Sequence, residues 1–279
     1  EIMGLDGMSF APLSAANHSL YRRWLSGLLG DEVEGLDMSS IAAFRSHYHN
    51  KTAINTAYLV AHGAIRLESI GFDDAPMVGD ALIKAKQLLR EGIEQGAVGF
   101  ATGLSYHPQA WSDTTELINL CEVTNEAGGV YVTHLRDVNS ERGYGGGGVS
   151  EALEIGRRSG VPVHFSHYRT HPNNAGQIEE LVKPIDKAIS KGLDCTLELY
   201  PYPTGSSFAM SNLPSYAHEG GPDSIMERLQ DPLMRPKLAH HLEHHARRDM
   251  VHASLSYLPI NSHLEGMSLP EISTDPERP

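Results

Sequence analysis

The chain has 279 residues, enough for one large core or two ordinary domains. It is 40% hydrophobic and 20% charged, and it contains no run near the roughly 18 apolar residues of a membrane helix, so a membrane-spanning protein is excluded. Its 22 basic and 35 acidic residues give a formal net charge of −13, which argues against a nucleic-acid partner. Two cysteines, Cys121 and Cys195, exclude a disulfide scaffold and a Cys-rich zinc module, and they suit a reducing, cytoplasmic setting. No basic-then-apolar leader is visible, and the first residue is Glu1.

In chain order, a short apolar run repeatedly gives way to a longer helical pattern. Residues 57–62 predict a strand and 76–95 a helix, with Pro76 suited to its first turn and Gly96 to its stop. Strands follow at 97–100, 129–134, 161–167 and 193–200, with helices at 113–126, 149–159 and 177–190, the last containing Pro184. This alternation predicts βα units around a parallel sheet. Periodicity alone leaves an open doubly wound sheet and a (β/α)8 barrel as alternatives. The run Gly145 to Gly148 precedes a helix without a following Lys-Ser/Thr, so it reads as a βα loop rather than a phosphate cradle, and the barrel is preferred. After Tyr202 the rhythm changes. Residues 1–202 are expected to form a partial barrel with a metal-binding core, and 203–279 an insertion or lid-like segment with helices near 223–229 and 236–247.

Barrel enzymes carry their working residues at the C-terminal ends of strands. Two strands here end in histidine, Tyr131-Val132-Thr133-His134 and Val163-His164-Phe165-Ser166-His167. Alternation puts His134 on the face of Val132 and His167 on that of Phe165 and Val163, and both are expected to point inward. Two imidazoles on neighbouring strand ends are half of a zinc site; the alternative is a pair of ordinary polar strand-end residues. Other histidine patterns carry less. His47-Tyr48-His49 reads as a solvated helix end, since no apolar strand leads into it. His240, Glu243 and His244 match an inverted zinc-protease pattern, but in a chain with 16 histidines they read as a surface helix. No Gly-x-Ser-x-Gly elbow supports a serine triad.

Several ordered motifs together resemble the N-acyl-D-amino-acid deacylases, a family of metal-dependent amidohydrolases. They are EIMGLDGMSFAP at 1–12, LVAHGAIR at 59–66, GFATGLSY at 99–106, YVTHLRD at 131–137, HFSH at 164–167 and LYPY at 199–202. Leu213-Pro214, Gly220-Gly221, Arg228-Leu229 and Asp231-Pro232 extend the similarity to about residue 240. The resemblance implies a zinc-dependent amide hydrolase on a distorted (β/α)8 barrel with a small β-sandwich. It implies His134 and His167 as zinc ligands, and Arg169 and Tyr200, or else Tyr202, as contacts for the substrate carboxylate.

The departures are specific. Where many relatives have a zinc-binding cysteine in Gly-Asn-Cys-Gly, this chain has Gly4-Leu5-Asp6-Gly7, so Asp6 is the expected third ligand, with Glu1 as the alternative carboxylate. Arg169 stands where lysine is common. The family's His-x-His on the first barrel strand and its aspartate on the last have no counterpart; Asp275 sits in a Pro-flanked tail. The first and last barrel units and the sandwich are therefore expected to lie outside this sequence, leaving apolar strand edges and poor solubility.

The implied reaction is hydrolysis of an N-acyl-D-amino acid to a carboxylic acid and a D-amino acid, with the general base unassigned. A cyclic-amide hydrolase of dihydroorotase or hydantoinase type is the alternative, weakened because no lysine ends a strand: Lys51 and Lys191 lie in polar contexts. A non-catalytic, degenerate amidohydrolase is the second alternative.

Overall fold

The computed structural model describes residues 1–30, 33, 35–170, 174–202, 204–245, 253–258 and 260–274. It divides into two compact units, residues 1–21 with 34–204 and residues 22–33 with 205–279.

The first unit is built on six parallel strands whose order in space is their order in the chain. They are β1 (Ile2–Met3), β2 (Ala57–Ala61), β3 (Gly99–Gly103), β4 (Val130–His134), β5 (Val163–Phe165) and β6 (Cys195–Leu197). A doubly wound sheet reverses its strand order at a switch point, and this one does not. The sheet is the curled, incomplete form of a (β/α)8 barrel. The connecting helices are α1 (Ala15–Leu29, which continues into the second unit), α2 (Ile41–Ser46), α3 (His62–Ile70), α4 (Gly79–Glu94), α5 (Thr114–Glu126), α6 (Gly148–Ser159) and α7 (Ile178–Ile189).

Local chemistry fixes the helix ends. Asp113 accepts from the Glu116 backbone N–H at 2.8 Å and starts α5; Ser40 does the same for α2 through Ala43. Gly160, at φ 76°, closes α6 in a left-handed conformation that costs glycine nothing.

The register sorts side chains onto two faces. Phe100, Tyr131 and Phe165 lie on one face, fully buried, and the first two stack at 6.0 Å. His62 of α3 packs edge-on to Phe100 at 5.4 Å. Each such aromatic contributes about 1.5–3 kcal/mol by leaving water. Leu59, Ala101 and Val132 lie on the other face as a small apolar cluster, and two residues beyond Val132 stands His134.

The expected strands exist, with shifted ends. β2 stops at Ala61 because His62 already begins α3, whereas β3 runs on to Gly103. The strands expected over 161–167 and 193–200 shrink to three residues each. β1, only two residues long, and helices α1 and α3 were not expected; the polar face of α1 and the immediate β2–α3 junction blur the periodicity in sequence.

In the second unit, the buried indole of Trp24 meets Phe208 edge-on at 5.0 Å and His218 at 5.9 Å. Its helices are the later part of α1, α8 (Ser215–His218), α9 (Pro222–Gln230), α10 (Arg235–His245) and α11 (Leu269–Thr274). Pro222 occupies the first turn of α9, where its missing N–H costs nothing. Asp275 lies outside the described residues. Among those residues, no helix is long and apolar enough to cross a membrane.

Candidate metal centre

Three strand ends converge on one small polar cluster. Asp6 sits in the turn Leu5–Gly7 after β1, His134 is the last residue of β4, and His167 follows β5 by two residues. His134 Nδ1 lies 2.9 Å from His167 Nε2. The Asp6 carboxylate faces both rings, Oδ2 at 3.6 Å from His134 and Oδ1 at 3.4 Å from His167. Asp6 is the carboxylate the structure brings to the histidines; Glu1 is exposed, its ammonium bonded to the Asn55 carbonyl.

Two strands, β2 and β3, separate β1 from β4, so the turn must fold across their ends for Asp6 to reach His134. The approach is close. A Cβ on Gly103 would stand 2.2 Å from the Asp6 carbonyl oxygen, and one on Gly7 2.7 Å from that of Ala101. Only glycine fits at those two positions. The fully buried Gln109 clamps the turn from behind: its Nε2 donates to the Asp6 carbonyl at 3.0 Å and its Oε1 accepts from the Gly103 N–H at 2.7 Å.

Asp6 and His167 both have left-handed backbones, at φ 57° and φ 38°. Aspartate adopts this region with little penalty, whereas a histidine there holds strain of order 1–3 kcal/mol. The backbone conformation also corrects an expectation. The register pairs Phe165 with Thr133 and His164 with Val132, so alternation alone would turn His167 to the face opposite His134. The strand ends at Phe165, and the left-handed turn brings the ring back to His134. Glu198 holds it there, its Oε1 accepting from the His167 backbone N–H at 2.8 Å.

Burial works against charge on Asp6, but the hydrogen-bonding rings and charges of His134 and His167 outweigh it and hold the carboxyl well below its ordinary range. His167 is pushed the opposite way: burial disfavours its charged form, and Asp6 more than compensates, raising its pKa. A tetrahedral ion with ligands at about 2.0–2.2 Å holds their donor atoms about 3.3–3.6 Å apart. The Asp6 separations, 3.6 Å to His134 and 3.4 Å to His167, lie in that range but belong to different oxygens of the carboxylate, and the imidazoles must part by about 0.4 Å. Asp6 Oδ1 is buried with His167 Nε2 as its polar neighbour at 3.4 Å, the placement of a ligand oxygen. Two imidazoles, one carboxylate and an open fourth position fit the ion.

Arg169 and Tyr200 stand beside this cluster. The Arg169 guanidinium carbon lies 5.2 Å from the Tyr200 ring centroid, and Tyr200 lies 6.3 Å from the His167 ring. Tyr202, 70% exposed, stacks on the outer side of Tyr200 at 6.2 Å. Tyr106 packs against His134 at 4.8 Å. His47 caps the end of α2 and His49 is exposed; neither joins the cluster. Lys51 and Lys191 are exposed.

Sequence reasoning missed the residues that brace the site. Arg136, two beyond His134, is buried; it bonds Glu151 at 2.8 Å and the carbonyls of Ala110 and Ser112, fixing the loop after β4. Behind the sheet, His62 and Arg66 of α3 share the buried carboxylate of Glu116. The only sequence signal was the presence of His62, Arg66 and Arg136 in the LVAHGAIR and YVTHLRD motifs.

No family model matches the chain. The N-acyl-D-glutamate deacylase of Alcaligenes xylosoxydans xylosoxydans is 31% identical over 207 residues, which are 74% of this chain and 41% of that protein. The chain thus spans about two fifths of the length of the curated relatives it matches. Among solved structures, an N-acyl-D-glutamate deacylase from Bordetella bronchiseptica, complexed with zinc and a phosphonate mimic of the tetrahedral intermediate, superposes with a TM-score of 0.59. It is 29% identical, and the match covers 72% of this chain and 41% of that one. A D-aminoacylase described as defining a novel subset of amidohydrolases gives a TM-score of 0.62 at 25% identity, over 85% of this chain and 52% of that one. Over about three quarters of its length this chain is similar, in sequence and in fold, to N-acyl-D-amino-acid deacylases.

Proposed function

We propose that the protein hydrolyses the amide bond of N-acyl-D-amino acids, releasing a carboxylic acid and a D-amino acid. Asp6, His134 and His167 are its zinc ligands in this reading. The observation that carries it is the convergence of those three donors at the C-terminal ends of β1, β4 and β5, in a homologue of deacylases. Zinc held there supplies a polarising charge for the acyl carbonyl and a water of lowered pKa.

The chain's own residues supply placement. Arg169 offers a planar fork for the substrate α-carboxylate, and Tyr200, stacked under it, adds a hydroxyl and steadies the guanidinium. Fixing the carboxylate on one side of the metal decides which enantiomer presents its amide there. Gln109 and Glu198 keep Asp6 and His167 from relaxing out of their left-handed conformations. The same proposal treats residues 1–202 as the metal-binding part of the barrel and 203–279 as an insertion. It places the protein in the cytoplasm, in keeping with the free thiols of Cys121 and Cys195.

The test is amine release by the complete, zinc-supplemented protein from N-acetyl-D-methionine, N-acetyl-D-glutamate and N-acetyl-L-methionine, with His167→Ala as control. Turnover of a D substrate alone, lost together with bound zinc in the control, is the expected result. A folded, zinc-loaded protein that turns over none of them refutes the proposal.

A further inference from the structure

We propose that the second unit carries its own transition-metal site on the outward face of α10, where His240 and His244 bind a borderline divalent ion such as Cu²⁺ or Zn²⁺ with Glu243 as third donor. The helix anchors itself through Leu238, which is only 2% exposed. That leaves positions 240, 243 and 244 on the solvent side, and all three residues are exposed. Residues three and four apart on a helix are neighbours, and here the two imidazole centroids lie 4.1 Å apart. One donor atom from each of the three residues falls within 4.8 Å of the other two.

Proximity alone would describe any His-x-x-x-His helix; the tautomer adds a second observation. His244 Nδ1 lies 2.8 Å from the His240 carbonyl oxygen. A carbonyl only accepts, so Nδ1 carries the proton and Nε2 keeps its lone pair. Metal-binding histidines are set up this way, with one ring nitrogen donating to a backbone oxygen and the other free to coordinate. The Glu243 carboxylate offsets part of the ion's charge. Imidazole donors favour Cu²⁺ over Zn²⁺ and Ni²⁺ in the usual order of stability. The exposure of all three residues also separates this site from the peptidase chemistry that the His-x-x-Glu-His pattern suggests, because that chemistry needs a cleft that excludes water.

The experiment titrates Cu²⁺ into the complete protein carrying His167→Ala, which silences the barrel centre, with binding followed by calorimetry and by electron paramagnetic resonance. One equivalent bound, with hyperfine structure from two imidazole nitrogens, is expected. Adding His244→Ala should weaken that binding about tenfold or more, and adding His263→Ala, an exposed histidine elsewhere in the unit, should leave it unchanged. Binding that survives His244→Ala, or a spectrum with a single coordinated nitrogen, overturns the proposal.

Discussion

Replacing Gln109 by leucine should damage both the stability of the fold and the metal centre, through one small set of bonds. The Gln109 amide is fully buried and links two backbone groups, the Gly103 N–H at 2.7 Å and the Asp6 carbonyl at 3.0 Å. Leucine has nearly the same volume and neither polar atom. Each backbone group left without a partner costs about 1–3 kcal/mol, so the variant should lose about 2–6 kcal/mol from a total of the order of 5–15. The clamp also holds Asp6 at φ 57°. Released, the turn drifts away from β3, and the carboxylate loses its approach to His134 and His167; zinc affinity should fall about tenfold or more, as for other residues that orient ligands. Gln109→Glu separates the two bonds, keeping an acceptor for Gly103 while setting a carboxylate oxygen against the Asp6 carbonyl. Urea denaturation of the metal-free protein and zinc competition with a chromophoric chelator measure the two effects independently. A leucine variant that loses less than about 1 kcal/mol and binds zinc like the parent refutes the clamp.

Three further outcomes are expected. Arg136→Ala strands the buried Glu151 carboxylate, whose remaining side-chain partner is Thr114, and should cost about 3–5 kcal/mol in thermal or chemical denaturation. Burial, helped by the charge of Arg228, pushes His218 down to about 4. Its neutral form therefore stabilises the second unit fully above the unfolded value near 6.5. That contribution, about 3 kcal/mol, should fade as the pH drops from 6.5 towards 4, a loss that His218→Gln removes from denaturation curves. Arg169→Ala should lower kcat/KM for an N-acyl-D-amino acid by roughly 10- to 100-fold, mainly through KM, since a charge-assisted carboxylate contact is worth about 1.5–3 kcal/mol.

The legible parts of the structure were the ones with local causes. The period of apolar residues marks β2 to β5 and helices α4 to α7, because each buries one stripe or face within a few residues of sequence. His134 was readable for the same reason: it ends a strand whose alternation it obeys. His167 was identified for a reason the structure reverses. Its parity points to the helix face, and only the turn at φ 38°, which no residue type announces, brings it to the site. Asp6 came from the family motif alone, since a two-residue strand has no period. Gln109, Glu198 and Arg136 were invisible because each acts on backbone brought near by pairing between distant strands. A glutamine that bonds a carbonyl over a hundred positions away looks, in sequence, like any glutamine in a loop.

The turn that carries Asp6 across the ends of β2 and β3 has a consequence for the protein's lifetime in the cell. An ion shared by Asp6, His134 and His167 would tie the turn after β1 to β4 and β5 as a reversible cross-link. At a free concentration about a thousandfold above its dissociation constant, it would deepen the native well by about 4 kcal/mol. Molecules that fail to load would open and be degraded more readily. Zinc scarcity should therefore register first as falling abundance, with the specific activity of the surviving molecules nearly unchanged.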